Sequence, residues 1–102
     1  MADYRLQIIT QTRTVFDRMV ESIVAPGGDG YLGVLAHHAP LLSTLGSGRL
    51  QVRERPGHEF VFQVEGGFLE VSRNVATILA DSLKLLSAPA GETIAGDEDE
   101  QA

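Results

Sequence analysis

Apolar and polar positions alternate along most of this chain. In GRLQVRER (48–55), Leu50 and Val52 fall on one side, and Arg49, Gln51 and Arg53 fall on the other. HEFVFQVEGG (58–67) continues the rhythm with Phe60, Phe62 and Val64 on a shared face. A two-residue repeat of this kind is the signature of a half-buried strand. Pro56-Gly57 stands between the two runs as a turn signal, so the pattern predicts a hairpin over 48–64. Gly66-Gly67 then predicts a break before FLEVS (68–72), and Arg73-Asn74 a tight turn into VATILAD (75–81). Upstream, YRLQIIT (4–10) and TVFDRMVESIVA (14–25) are two more strand-like runs, the second long enough to bend or carry a bulge. No amphipathic helix is predicted within 1–82. DSLKLLSA (81–88) predicts a single turn of helix, stopped by Pro89 and Gly91. Short strands punctuated by turns make the fold all-β, a sandwich or barrel.

Length and charge sharpen that picture. With 102 residues the chain suits one domain. Its net charge of −6 is unevenly spread. Residues 88–102 hold Glu92, Asp97, Glu98, Asp99 and Glu100 with no basic residue, while 1–87 is nearly neutral. The division predicts a folded body over 1–86 and an acidic, disordered tail over 87–102. The body shows no basic stripe for nucleic acid. The absence of cysteine excludes disulfides, thiolate catalysis and Cys-based zinc sites. No apolar run approaches the roughly 20 residues of a membrane span, and MADYRLQIIT is unlike a signal peptide, so a soluble protein is expected.

The stretch GDGYLGVLAHHAPLL (28–42) invites four chemistries. A phosphate loop needs a lysine beside its glycines, and the one lysine is Lys84. His37 and His38, if extended, point to opposite faces and cannot grip one metal ion, and His58 lacks the converging ligands a zinc site needs. Ser43 and Ser47 sit near His38 in sequence, but Gly46-Ser47-Gly48 is no nucleophile elbow and no orienting acid can be placed. Recognition by a partner remains, with Asp29 and Tyr31 displayed and Leu32, Val34, Leu41 and Leu42 turned inward.

Two ordered motifs carry a resemblance. GDGYLGVLAHHAPLLSTLGSGRLQV and, further on, VEGGFLEVSRNVATILADS (64–82) are similar to the epsilon subunit of F-type ATP synthase, with a match over about residues 4–84. Gly27, Gly30, Leu32, Gly33, Val34, His38, Ala39, Pro40, Leu41, Leu42, Leu45 and Gly48 fall on the first pattern. The resemblance implies a flattened β-sandwich or barrel of about ten short strands at the foot of the central stalk. It implies a non-catalytic subunit without cofactor or metal, bound to the gamma subunit and the membrane c-ring, that couples proton- or sodium-driven rotation to ATP synthesis. It would sit peripherally on the cytoplasmic face of a bacterial membrane, held there only through the Fo complex. Asp29, Gly30 and Tyr31 fall on the family's ring-facing loop and His38 on the motif histidine. Thr10 and Ser43 fall where the sandwich approaches gamma.

Three departures stand out. Tyr31 occupies a position where the family commonly has an acid. Ala36-His37 replaces the usual Pro-Gly or Pro-Asn, so the turn there is expected to be built differently. About 15 residues follow the sandwich where the family carries a helical pair; at about 1.5 Å per residue they are too few to build it. Neither ATP binding nor an inhibitory helical arm is therefore expected, and the ending DEDEQA favours a naturally short chain. A free-standing β-sandwich module for a ligand or peptide is the competing reading, and a small hydrolase using His38 and Ser43 a distant third.

Overall fold

The structure, a computed structural model, describes residues 2–92. Every regular element among them is a strand: β1 Tyr4–Ile9, β2 Thr14–Val20, β3 Ser22–Gly27, β4 Gly30–Leu35, β5 Leu41–Arg55, β6 His58–Ser72, β7 Val75–Ala80 and β8 Leu83–Ser87. The all-β expectation holds, with eight strands among the described residues in place of about ten. The difference arises because two of them, β5 and β6, are 15 residues long.

Sheet order is β2-β1-β7-β6-β5-β3-β4, with β8 paired to β6. The N-terminal half of β5 pairs with the C-terminal half of β6 (Leu41↔Val71 to Leu45↔Gly67), and the remaining halves pair up to Arg55↔His58 around the Pro56-Gly57 turn. The hairpin therefore belongs to both halves of the sheet. One half adds β7, β1 and β2; the other adds β3, β4 and β8. The β1–β7 pair is parallel. Leu6, Ile8, Leu50, Phe60, Phe62, Leu69 and Ile78 are fully buried between the halves. Phe16 of β2 meets Phe60 and Phe62 of β6 edge to face, with ring centroids 5.3 and 6.1 Å apart. The Tyr4 hydroxyl donates to the Val34 carbonyl at 2.8 Å, joining β1 to β4 across the core. Burial pushes that phenol's pKa far above its ordinary value.

The predicted break at Gly66-Gly67 is a bend inside a continuous strand. Both glycines have positive φ (78° and 130°), and a Cβ on Gly67 would collide with the Leu79 carbonyl. Only glycine lets β6 turn from one half of the sheet to the other there. The 14–25 run divides at Glu21, where the chain passes from β2 to β3. Arg73 and Asn74 form the expected turn with φ of 53° and 62°.

The helical turn expected over 81–88 is overturned: 83–87 is strand β8. Leu83 pairs with Val64 and Leu85 with Phe62. One helical turn fixes several residues for a single hydrogen bond, whereas a strand here completes a ladder already offered by β6 and buries Leu83. The predicted acidic tail lies, from residue 93 onward, outside the described residues.

Candidate partner-binding surfaces

The β3–β4 turn is built from close approach. Gly27 pairs with Gly30, leaving Gly28 and Asp29 at the tip. The Gly28 amide donates to the Thr44 carbonyl at 3.1 Å, and a Cβ on Gly28 would stand 2.6 Å from the Thr44 hydroxyl. The turn therefore lies flat on β5 and exposes Asp29.

Next to it, Tyr31 is 59% exposed yet firmly held. Along β3 and β5 the register jumps between Val24↔Gln51 and Gly27↔Leu45, so β5 loses its partner strand at this bulge. Pro26, paired with Tyr31, has no amide hydrogen to offer. The Tyr31 hydroxyl instead accepts the Arg49 amide hydrogen at 3.1 Å. Its ring lies over Gly48, where any Cβ would strike the phenol. Asp29, Gly30 and Tyr31 thus form one rigid corner.

His38 does not belong to that corner. It follows the far end of β4, exposed, with Nδ1 2.7 Å from the Ala39 carbonyl. Its segment is a turn and not extended: His37 itself takes φ 62°, the left-handed region that glycine and asparagine adopt most readily. The Asn74 side chain secures it, accepting the His37 amide hydrogen at 2.7 Å and donating to the Asp3 carbonyl at 3.0 Å.

Thr10 and Ser43 also part company. Thr10 is buried, bonded to the Thr12 hydroxyl at 3.2 Å and the Arg13 carbonyl at 3.3 Å. It lines a groove of about 290 Å³ with Ile9, Phe68, Leu79 and Asp81. Ser43 lies on the row Ser43–Leu69–Ile78–Ile8, whose other members are buried. The adjacent row, Thr44–Phe68–Leu79–Ile9, faces out.

Alternation alone does not reveal the apolar character of that outward face. Leu42, Phe68 and Leu79 are 72%, 51% and 49% exposed on β5, β6 and β7. Exposed Leu42 departs from the expectation that it turns inward; its neighbour Leu41 is the member packed against the core. The signal for this outward face lies in the apolar doublets Ile8-Ile9, Leu41-Leu42, Phe68-Leu69 and Ile78-Leu79. In a strand, one member of a doublet must point away from the core. The outward members of the four doublets make an exposed apolar patch across neighbouring strands, the kind of surface that interaction sites use.

The sequence matches the family described as ATP synthase, Delta/Epsilon chain, beta-sandwich domain, over residues 3–85. The chain belongs to this family. An ATP synthase epsilon chain of Protochlamydia amoebophila is 42% identical over 81 residues, covering 79% of this chain and 55% of that protein. That of Moorella thermoacetica is 45% identical over 82 residues, covering 80% and 61%. The match therefore spans little more than half the length of these epsilon relatives. Among solved structures, a chain in the Euglena gracilis mitochondrial ATP synthase (OSCP/F1/c-ring) aligns with a TM-score of 0.78 at 25% identity, covering 83% of this chain and 54% of that one. A chain from the Tetrahymena thermophila mitochondrial ATP synthase central stalk and c-ring aligns with a TM-score of 0.66 at 20% identity, which speaks for the fold alone.

Proposed function

We propose that this epsilon-type sandwich acts as a non-catalytic central-stalk subunit of an F-type ATP synthase, docking on gamma and on the c-ring and passing ring rotation to the catalytic head. The outward apolar face that carries Leu42, Phe68 and Leu79 supports the reading. Fully burying such a side chain contributes about 1.5–3 kcal/mol, so the three supply the core of a stable interface. Thr10 sits at its rim in the groove, and Ser43 supports it from the adjacent row. The Asp29–Gly30–Tyr31 corner is the ring-facing element: stiff, glycine-shaped and carrying one negative charge. His38 flanks a different edge of the sandwich and is assigned to neither surface. In that assembly the chain sits peripherally on the cytoplasmic face of the membrane.

Co-purification with gamma tests the reading. Phe68→Glu puts a charge in the centre of the exposed row without touching the buried face. Retention of gamma is expected to fall at least tenfold while circular dichroism stays that of the parent. Undiminished retention of gamma by folded F68E would sink the assignment.

A further inference from the structure

A second polar assembly lies away from both proposed surfaces, at the Pro56-Gly57 end of the long hairpin. Arg18 projects from β2 over the rings of Phe16 and Phe60, its guanidinium carbon 5.4 and 5.2 Å from their centroids. Its Nη1 meets Glu54 of β5 at 3.3 Å and Glu92, beyond β8, at 3.2 Å. From the start of β6, His58 Nε2 lies 3.4 Å from Glu92 and 3.6 Å from Glu54. Arg55 Nη2 stands 3.4 Å from His58 Nδ1. Arginine can only donate, so a hydrogen bond at this contact has Nδ1 accepting and leaves Nε2 facing the two carboxylates as the donor. Glu92 arrives through a turn in which its amide donates to the Pro89 carbonyl at 3.0 Å.

Burial separates this group from ordinary surface pairs. The side chains of Arg18, Glu54, His58 and Glu92 are 32%, 14%, 19% and 30% exposed. Pairs partly withdrawn from water, with a cation resting on aromatic faces, hold better than fully solvated ones. Three separate stretches of chain supply the receptor, from β2, β5 and β6. The fourth group belongs to a segment that lies beyond the last strand pairing.

We propose that Arg18 and His58 form a built-in receptor for a carboxylate of this chain's own C-terminal segment, a latch into which Glu92 closes. The latch fastens residues 88–92 across the corner where β2 meets the β5–β6 hairpin. Glu54 orients the two donors and Glu92 completes their set of acceptors. Glu54 and His58 flank one end of β5, whereas Leu42 and Thr44, against which the Gly28-Asp29 turn rests, lie at the other. The latch thus lies at the end of β5 opposite the outward apolar face and the Asp29 turn.

The test is amide hydrogen exchange on the full chain without partners, so its outcome is independent of the stalk assignment. Glu92→Gln keeps the shape of the side chain and removes its charge. Exchange at the Glu92 amide and its neighbours in 88–92 is expected to rise about fivefold or more, while β1, β6 and β7 stay protected. About 1 M NaCl should speed the parent toward the variant and leave E92Q unchanged. Arg18→Gln should reproduce the E92Q pattern; should it unfold, because Arg18 also covers two rings, E92Q alone decides. Equal exchange in parent and E92Q, at low and at high salt, overturns the latch.

Discussion

Tyr31 reaches from the edge strand over Pro26 to the amide of Arg49, and this one bond accounts for a residue that the sequence leaves unexplained. Its family position suggests an acid, and its exposure suggests a contact. Locally the phenol also stands in for the strand partner that a proline and a bulge have removed. Tyr31→Phe keeps the ring on Gly48 and deletes the hydroxyl. The cost is expected to be about 0.5–1 kcal/mol, since the exposed amide can turn to water. Hydrogen exchange at Arg49 should quicken while neighbouring β5 amides stay protected, which nuclear magnetic resonance reads residue by residue. None of this is legible in the sequence, because Tyr31 and Arg49 meet only after β4, β3 and β5 align. His37 makes the same point. Histidine tolerates positive φ better than most residues, but its type alone does not require it; Asn74, distant in sequence, holds it in the left-handed region.

Among the elements, β6 shows how a correct observation can predict the wrong structure. Two adjacent glycines predict a break, and they serve as a bend. Composition marks a place where the backbone departs from ordinary strand geometry, but whether the ladder continues depends on its neighbours. Here β5 and β7 keep pairing with Gly67 on either side. Gly67→Ala forces a side chain into the Leu79 carbonyl at φ 130°. A loss of more than about 2 kcal/mol is expected, from backbone strain and the clash together. Thermal unfolding would register it as a lower Tm, and an unchanged Tm would contradict the bend. The 81–88 segment differs in the opposite sense. LKLLS has no strong preference, and the open edge of β6 makes it a strand.

At the scale of the whole molecule, three carboxylates among the described residues tie stability to pH. Asp17 is held below its ordinary range chiefly by its bond to Arg5, Glu65 by the Ser47 hydroxyl, and Glu92 by His58 and then Arg18. Each folded value lies below the unfolded one, so each contribution is present above about pH 4.5 and is lost as pH falls through the folded value. The urea midpoint is therefore expected to fall between about pH 5 and about pH 3, and a constant midpoint would count against these pairings. The sequence by itself determined the all-β class, the hairpin at Pro56-Gly57, the turn at Arg73-Asn74 and the family. It could do so because alternation and turn chemistry are local, and the family motifs are written in order along the chain. Tertiary structure alone decided which member of each apolar doublet is buried, that the outer members join into one exposed apolar face, and that Tyr31 bridges to Arg49. It also decided that His38 stands apart from Asp29, and that Glu92 closes on Arg18 and His58. Each of these depends on strand register between distant segments, and register is settled only when the two halves of the sheet bury their common core.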